Sequence, residues 1–243
     1  MDVKIDELIA LAAEQPTRIS RRSGVSRSTL KRVGDGTSEP TLSTLREVAL
    51  ALGLDITLTA HHASDPFAAA AARALIDDSV PENPHDEEIL AWLQRFERWN
   101  INDPLTLVSE AGNVQGIYHR RDAQFLNIDP ATLAALPEFF QQHNADWALS
   151  GAAAATVITR QVVQGPSMVW HEPLAHLTVA DLGVEVDAVE EANLIILPAL
   201  ASELMGSYSQ DGLNFVAPVQ LVIDLHSLQL FEVADQLTSG WRS

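Results

Sequence analysis

Between Gln15 and Gly34 the chain places Arg18, Arg21, Arg22, Arg27, Lys31 and Arg32 with no acidic residue among them. Guanidinium and ammonium groups gathered in so short a segment can neutralise phosphate oxygens and release the cations condensed on a nucleic acid. Arginine adds a second capability, because its planar fork matches O6 and N7 of guanine in the major groove. A charge run is more often a solvated face than a binding site. Its meaning therefore depends on the elements that carry it.

Those elements are short helices. Ile5, Leu8, Ile9 and Leu11 to Ala13 fall on one helical stripe, and Leu42, Leu45, Val48, Ala49 and Leu52 repeat the pattern in TLSTLREVALAL. Between them TRISRRSG and SRSTLKRV are joined at Gly24 and Val25, with Ser26 placed to cap the second. Gly53 ends the fourth helix, and LDITLTA alternates in the manner of a short strand, so a first unit closes near residue 60. An alanine-rich helix at about 67–77 and the proline- and acid-rich stretch DDSVPENPHDEE read as a connector over 61–88.

From 89 to 243 the texture is mixed. ILAWLQRFERW, LTLVSEAG and ATLAALPEFFQQH read as helices, WALSGAAAATVIT as a buried helix, SMVWHEPLAHLTVA and ANLIILPA as strands, and VQLVIDLHSLQLFEVADQLTSGW as helix again. The expected fold class is a multidomain α+β protein, with an all-α N-terminal domain followed by a larger mixed α/β domain.

Composition bounds the rest. The 243 residues carry a net charge of -18, yet residues 1–60 hold eight basic and eight acidic residues, leaving 7 of the 15 Lys+Arg and 25 of the 33 Asp+Glu beyond them. The acidic excess belongs wholly to the second domain. With 47% hydrophobic and 20% charged residues the chain has the means to build a core. Zero cysteines remove disulfides, thiolate zinc sites and cysteine nucleophiles. The start, MDVKIDELIALAAEQ, lacks a basic region followed by an apolar run, and no stretch approaches the roughly 20 apolar residues of a membrane span. The expectation is a soluble, cytoplasmic protein with no membrane contact.

Other constellations carry less. His61 with His62 and His171 with His176 lack the spacing of a metal site, so neither metal nor cofactor is expected. The order His119, Arg120, Arg121, Asp122 has no glycine-rich loop to make it a kinase catalytic loop. Gly206, Ser207 and Asp211 echo a nucleotidyltransferase opening without the paired carboxylates that would hold magnesium, and Glu185, Asp187, Glu190 and Glu191 read as a solvated loop. No catalytic residue is nominated and enzymatic activity is not expected.

The string ISRRSGVSRSTLKRVGDGTSEPTLSTLREVALALGL resembles the helix-turn-helix of the phage-repressor and XRE family, over roughly residues 4–54. Ile19 and Ser20 stand where the family has core Leu and Ala, Gly24 where it turns, Val25 and Leu30 where the recognition helix is anchored. The resemblance implies a four-helix, lambda-repressor-like domain that binds double-stranded DNA, usually as a homodimer on an inverted repeat. Carried over position by position, it assigns base contact to Arg27, Ser28 and Arg32, and phosphate contact to Thr17, Arg18, Arg21, Ser26 and Lys31. The chain departs from the pattern where the family often has Gln opening the second helix. Gln15, Pro16 and Thr17 occupy that boundary, and which of them caps the helix is left open.

Over about residues 145–240 the chain resembles the C-terminal region of AbiEi-type antitoxins of type IV toxin-antitoxin systems, which have Ser-Gly-x-x-Ala and a phrase like Val-Ala-Pro-Val-Gln-Leu-x-x-Asp-Leu. Ser150, Gly151 and Ala154 fit the first and Val216 to Leu225 the second. That family commonly begins with a winged helix, where this chain has a unit that resembles the four-helix domain of phage repressors. Each residue also has a plain structural reading: Gly151 for close packing, Pro218 for a first helical turn, Asp224 for a local cap or pair. The expectation is a DNA-binding autorepressor that acts as an antitoxin toward a nucleotidyltransferase-like toxin protein. The alternative is a ligand-responsive XRE-family regulator, with Trp147, Trp170 and Trp241 as possible pocket walls.

Overall fold

The computed structural model describes residues 4–80, 86–173 and 182–242. The chain falls into two compact units, Met1–His61 and His62–Ser243.

In the first unit four helices follow in order: α1 (Ile5–Glu14), α2 (Pro16–Ser23), α3 (Arg27–Gly34) and α4 (Leu42–Leu52). α4 packs on α1 and α2, and α3 packs on α1 and α2. Their shared core is Leu8, Ala12, Ile19, Leu30, Leu45, Val48, Ala49 and Ala51. The expected strand in LDITLTA does not form. Residues 54–60 have no regular structure, because all seven strands among the described residues lie between 124 and 215 and none is offered as a partner. Leu54 and Ile56 instead pack against the four-helix core, and Leu58 is exposed.

The second unit is mixed α/β. Its helices are α5 (Phe67–Ile76), α6 (Glu87–Arg98), α7 (Pro104–Gln115), α8 (Pro130–Gln142), α9 (Gly151–Thr159), α10 (Pro218–Ser227) and α11 (Phe231–Leu237). Its strands are β1 (Gln124–Asn127), β2 (Trp147–Ser150), β3 (Ser167–His171), β4 (Val184–Glu185), β5 (Leu194–Pro198), β6 (Tyr208–Gln210) and β7 (Leu213–Phe215). They form one mixed sheet in the order β4-β1-β5-β3-β2-β7-β6. β5 runs parallel to β3 and β2 parallel to β7, while the other neighbours are antiparallel. α5, α7 and α10 pack on one another, and α9 bridges α10 to β2 and β3.

Two sequence readings change here. WALSGAAAATVIT is a strand and a helix, not a single helix. All four residues of β2 are buried and paired with β3 and β7, and Gly151, at φ +65°, turns the chain sharply into α9. An apolar run of this length has no periodicity to separate the two. The alanine-rich helix, assigned to a connector, lies in the core: Ala68 to Ala72 are buried in succession, as is Arg73. A helix apolar on all sides is an interior helix. The strand expected over 167–180 is formed at 167–171; residues 174–181, with His176, and 81–85 of the connector lie outside the described residues.

Candidate nucleic-acid interface

The link between α2 and α3 is built by local hydrogen bonds. Gly24, at φ +73°, donates its amide to the Ser20 carbonyl at 3.1 Å and ends α2. The Ser23 hydroxyl donates to the Ile19 carbonyl at 2.8 Å and accepts from the Val25 amide at 3.2 Å. Ser26 then caps α3, its Oγ accepting from the Thr29 amide at 3.1 Å. Leu30 is buried and Val25 half-buried against the core, which fixes the roll of α3.

The open boundary of α2 is resolved. Gln15 is the capping position, Pro16 fills the first helical turn, and no side chain caps the amides. The Gln15 amide oxygen accepts from Arg18 Nη1 at 2.9 Å instead. Thr17 is exposed in the first turn.

Arg18, Arg21, Arg22, Arg27, Lys31 and Arg32 are all exposed, and among the described residues none forms an ion pair. Their charge is uncompensated by the protein. On α3, Arg27, Ser28, Lys31 and Arg32 sweep about 140° of the helix surface at roughly 100° per residue, on the side opposite Leu30. Ser26 and Ser28 join through their hydroxyls at 2.8 Å, so Ser26 is already engaged by its neighbours as well as by its cap.

Ser38 carried no sequence signal. Arg32 Nη2 donates to Ser38 Oγ at 3.2 Å, while the Arg32 carbonyl accepts from the Thr37 amide at 2.9 Å and the Thr37 hydroxyl at 3.0 Å. The α3–α4 loop thus holds Arg32 by both backbone and side chain. Such a contact depends on the path of a loop, which periodicity does not report.

In the second unit the two short motifs singled out in sequence meet. Asp224 of α10 accepts from Ser150 Oγ at 2.6 Å, Trp170 Nε1 at 2.9 Å, Gln220 Nε2 at 2.8 Å and Gln115 Nε2 at 3.2 Å. Three of these partners are distant in sequence, so the local role expected of Asp224 is the minor part. Burial pushes its carboxyl up to about 6, against the pull of the four donors. Gly151 and Pro218 take the structural roles expected of them: a Cβ on Gly151 would meet the Pro166 carbonyl at 2.7 Å, and Pro218 occupies the first turn of α10.

Beside this centre, Arg120 chelates Asp122 through Nε at 2.8 Å and Nη2 at 2.5 Å, holding the Asp122 carboxyl below its ordinary range. Its guanidinium lies over Trp170, 5.4 Å from the ring centroid. Glu203, pushed up by burial, accepts from the Leu200 and Ala201 amides. Arg73 of α5 donates to Asp77, Ser79 and the carbonyls of Ser202 and Met205. Ser150, Asp224 and Arg73 have no exposed surface, so these groups join elements and do not present chemistry to a substrate.

Of the three tryptophans nominated as pocket walls, Trp170 is fully buried and Trp241 packs on the core. Trp147 lines an apolar groove of about 430 Å³ between α8 and α9. Among the described residues no group of three or more His, Cys, Asp or Glu is placed to hold a metal ion, and no helix is long and apolar enough to cross a membrane. Comparison of the chain with protein families, curated proteins and solved structures finds no match.

Proposed function

We propose that this chain is a sequence-specific, DNA-binding transcriptional regulator whose first unit is a helix-turn-helix of the phage-repressor type. The observation that carries the reading is the unpaired basic face of α2 and α3, set on a glycine turn and a serine cap. In this reading the start of α3 enters the major groove, where Arg27, Ser28 and Arg32 meet base edges. Thr17, Arg18, Arg21, Ser26 and Lys31 meet phosphates and set the register. A single unit covers few base pairs, so the chain acts as a homodimer on an inverted repeat.

The resemblance of residues 145–240 to AbiEi-type antitoxins supports a narrower role, an autorepressor that neutralises a nucleotidyltransferase-like toxin. The acidic excess of the second unit suits a basic protein partner and opposes a second DNA contact. A gel shift against the chain's own upstream region tests the first claim, and failure to retard that DNA at low salt overturns it. Co-expression with the neighbouring protein tests the second, which falls if the two do not co-purify.

A second reading, a regulator that responds to a small molecule, is favoured by one observation. The second unit holds a cleft of about 1030 Å³, walled by the end of α7, the end of α10 and the turns between.

A further inference from the structure

That cleft is formed by close packing. Gly112 of α7 lies against α10 so tightly that a Cβ would come 2.5 Å from His226 Cβ. Gly116, at φ +52°, would place a Cβ 2.0 Å from the Ala63 carbonyl. No larger residue fits at either place, so the walls are held at a fixed separation.

Aromatic rings and hydrogen-bonding side chains line the cleft. The rings of His62 and His119 are stacked, their centroids 4.5 Å apart and their planes within 2° of parallel, and both residues are exposed. Tyr118 stands next in the chain, its phenol pushed up by burial and by the nearby Glu190 carboxylate. Glu190 is exposed and has no ion-pair partner among the described residues. His226 is half-buried in the cleft wall, where burial lowers the pKa of its ring against the pull of Asp235. The side-chain amides of Asn113 and Gln229 are exposed at the rim.

Among the described residues no Lys or Arg lines the cleft. A phosphate or carboxylate ligand would meet the Glu190 carboxylate with no guanidinium or ammonium group beside it, and is disfavoured on that ground. The exposed Glu190 carboxylate calls for a ligand that donates, and the stacked rings call for one that is flat. We propose that the cleft binds a planar, nitrogen-rich heterocycle of purine-nucleoside size, bearing amino or ring N–H donors and no phosphate.

The inference deepens the ligand-responsive reading and needs no DNA in its test, so the two fail separately. Full-length chain is titrated with guanosine, adenosine and 2-aminobenzimidazole, and with benzoate and guanosine 5′-monophosphate, by calorimetry and thermal shift. At least one of the first three binds at concentrations up to about 1 mM, and the anions bind more weakly or not at all. Glu190→Gln and His119→Ala, both surface changes, weaken that binding about tenfold with the Tm of the free protein unchanged. The proposal is overturned if none of the donor-bearing planes binds, if benzoate or the monophosphate binds as well, or if both variants bind like the parent chain.

Discussion

The Ser150 hydroxyl donates to the Asp224 carboxylate at 2.6 Å, across 74 residues of chain. Ser150 is the last residue of β2 and Asp224 lies inside α10, while Trp170 and Gln115 bring β3 and α7 to the same carboxylate. One acid therefore ties two strands to two helices. Ser150→Ala removes one of four donors and is expected to cost about 1–2 kcal/mol. Asp224→Asn puts an amide N–H₂ against groups that are themselves donors, and is expected to cost more, about 2–3 kcal/mol. Urea unfolding followed by tryptophan fluorescence gives the order, and equal stability of Asp224→Asn and the parent chain removes Asp224 from this role.

The same carboxyl makes stability depend on pH. Its folded pKa, about 6, lies above the ordinary 3.8, so protonation favours the folded state. The stabilisation is complete below about pH 4 and is lost as pH rises through 6, on the order of 2–3 kcal/mol in all. Glu203 is raised by burial and acts in the same direction. Asp77 and Asp122 are lowered and act oppositely, but their contribution is lost only as pH falls through and below 3.8. His171 and His226, lowered by burial, work the other way and add stability as pH rises through the imidazole range. Between pH 4.5 and 7.5 the unfolding midpoint of the parent chain should therefore fall relative to that of Asp224→Asn. A parallel course in the two assigns the effect elsewhere.

What was legible in the sequence was local. Gly24, Ser26 and Gly53 act within a few residues of themselves, and each sits in the turn or cap its type suggested. Asp224 was visible as a residue of interest but not as a hub, because Gln115, Ser150 and Trp170 reach it from three other elements. The burial of Arg73 was not legible at all. A charged residue in an alanine run gives no sign of burial, and the loop carbonyls of Ser202 and Met205 that help to satisfy it, beside the nearby Asp77 and Ser79, lie about 130 residues on.

Arg73 accordingly carries a prediction of its own. Arg73→Met keeps much of the volume and leaves two carbonyls and a partly buried Asp77 without their donor. Removing one partner of a buried pair costs about 3–5 kcal/mol, well beyond an ordinary core change. Thermal unfolding of the second unit reads the loss directly. A change in Tm of no more than a degree or two would mean that the loop finds other donors.

On the DNA-facing helices the two proposed kinds of contact separate by experiment. Arg27→Ala should lose about 1–3 kcal/mol against the preferred site and relax the choice of base there. Arg21→Ala should weaken all sequences alike and reduce the slope of log affinity against log salt by about one unit. Binding-site selection from random duplexes, followed by salt titration, measures both. If Arg27→Ala lowers the salt slope and leaves base preference intact, it is a phosphate contact and the assignment at the start of α3 is wrong.

Charge division leads to the last expectation. Residues 1–60 are net neutral with six uncompensated cations on α2 and α3, while the remainder of the chain carries the whole charge of -18. The first unit has a core of its own and is compact. Repulsion between the acidic unit and a duplex acts over about 10 Å at 0.1 M salt and fades as salt rises. The isolated first unit should therefore bind nonspecific DNA more tightly than the full chain at low salt, and the difference should shrink as salt is added. Fluorescence anisotropy with a labelled random duplex measures the gap, and a gap that does not depend on salt rules out charge as its cause.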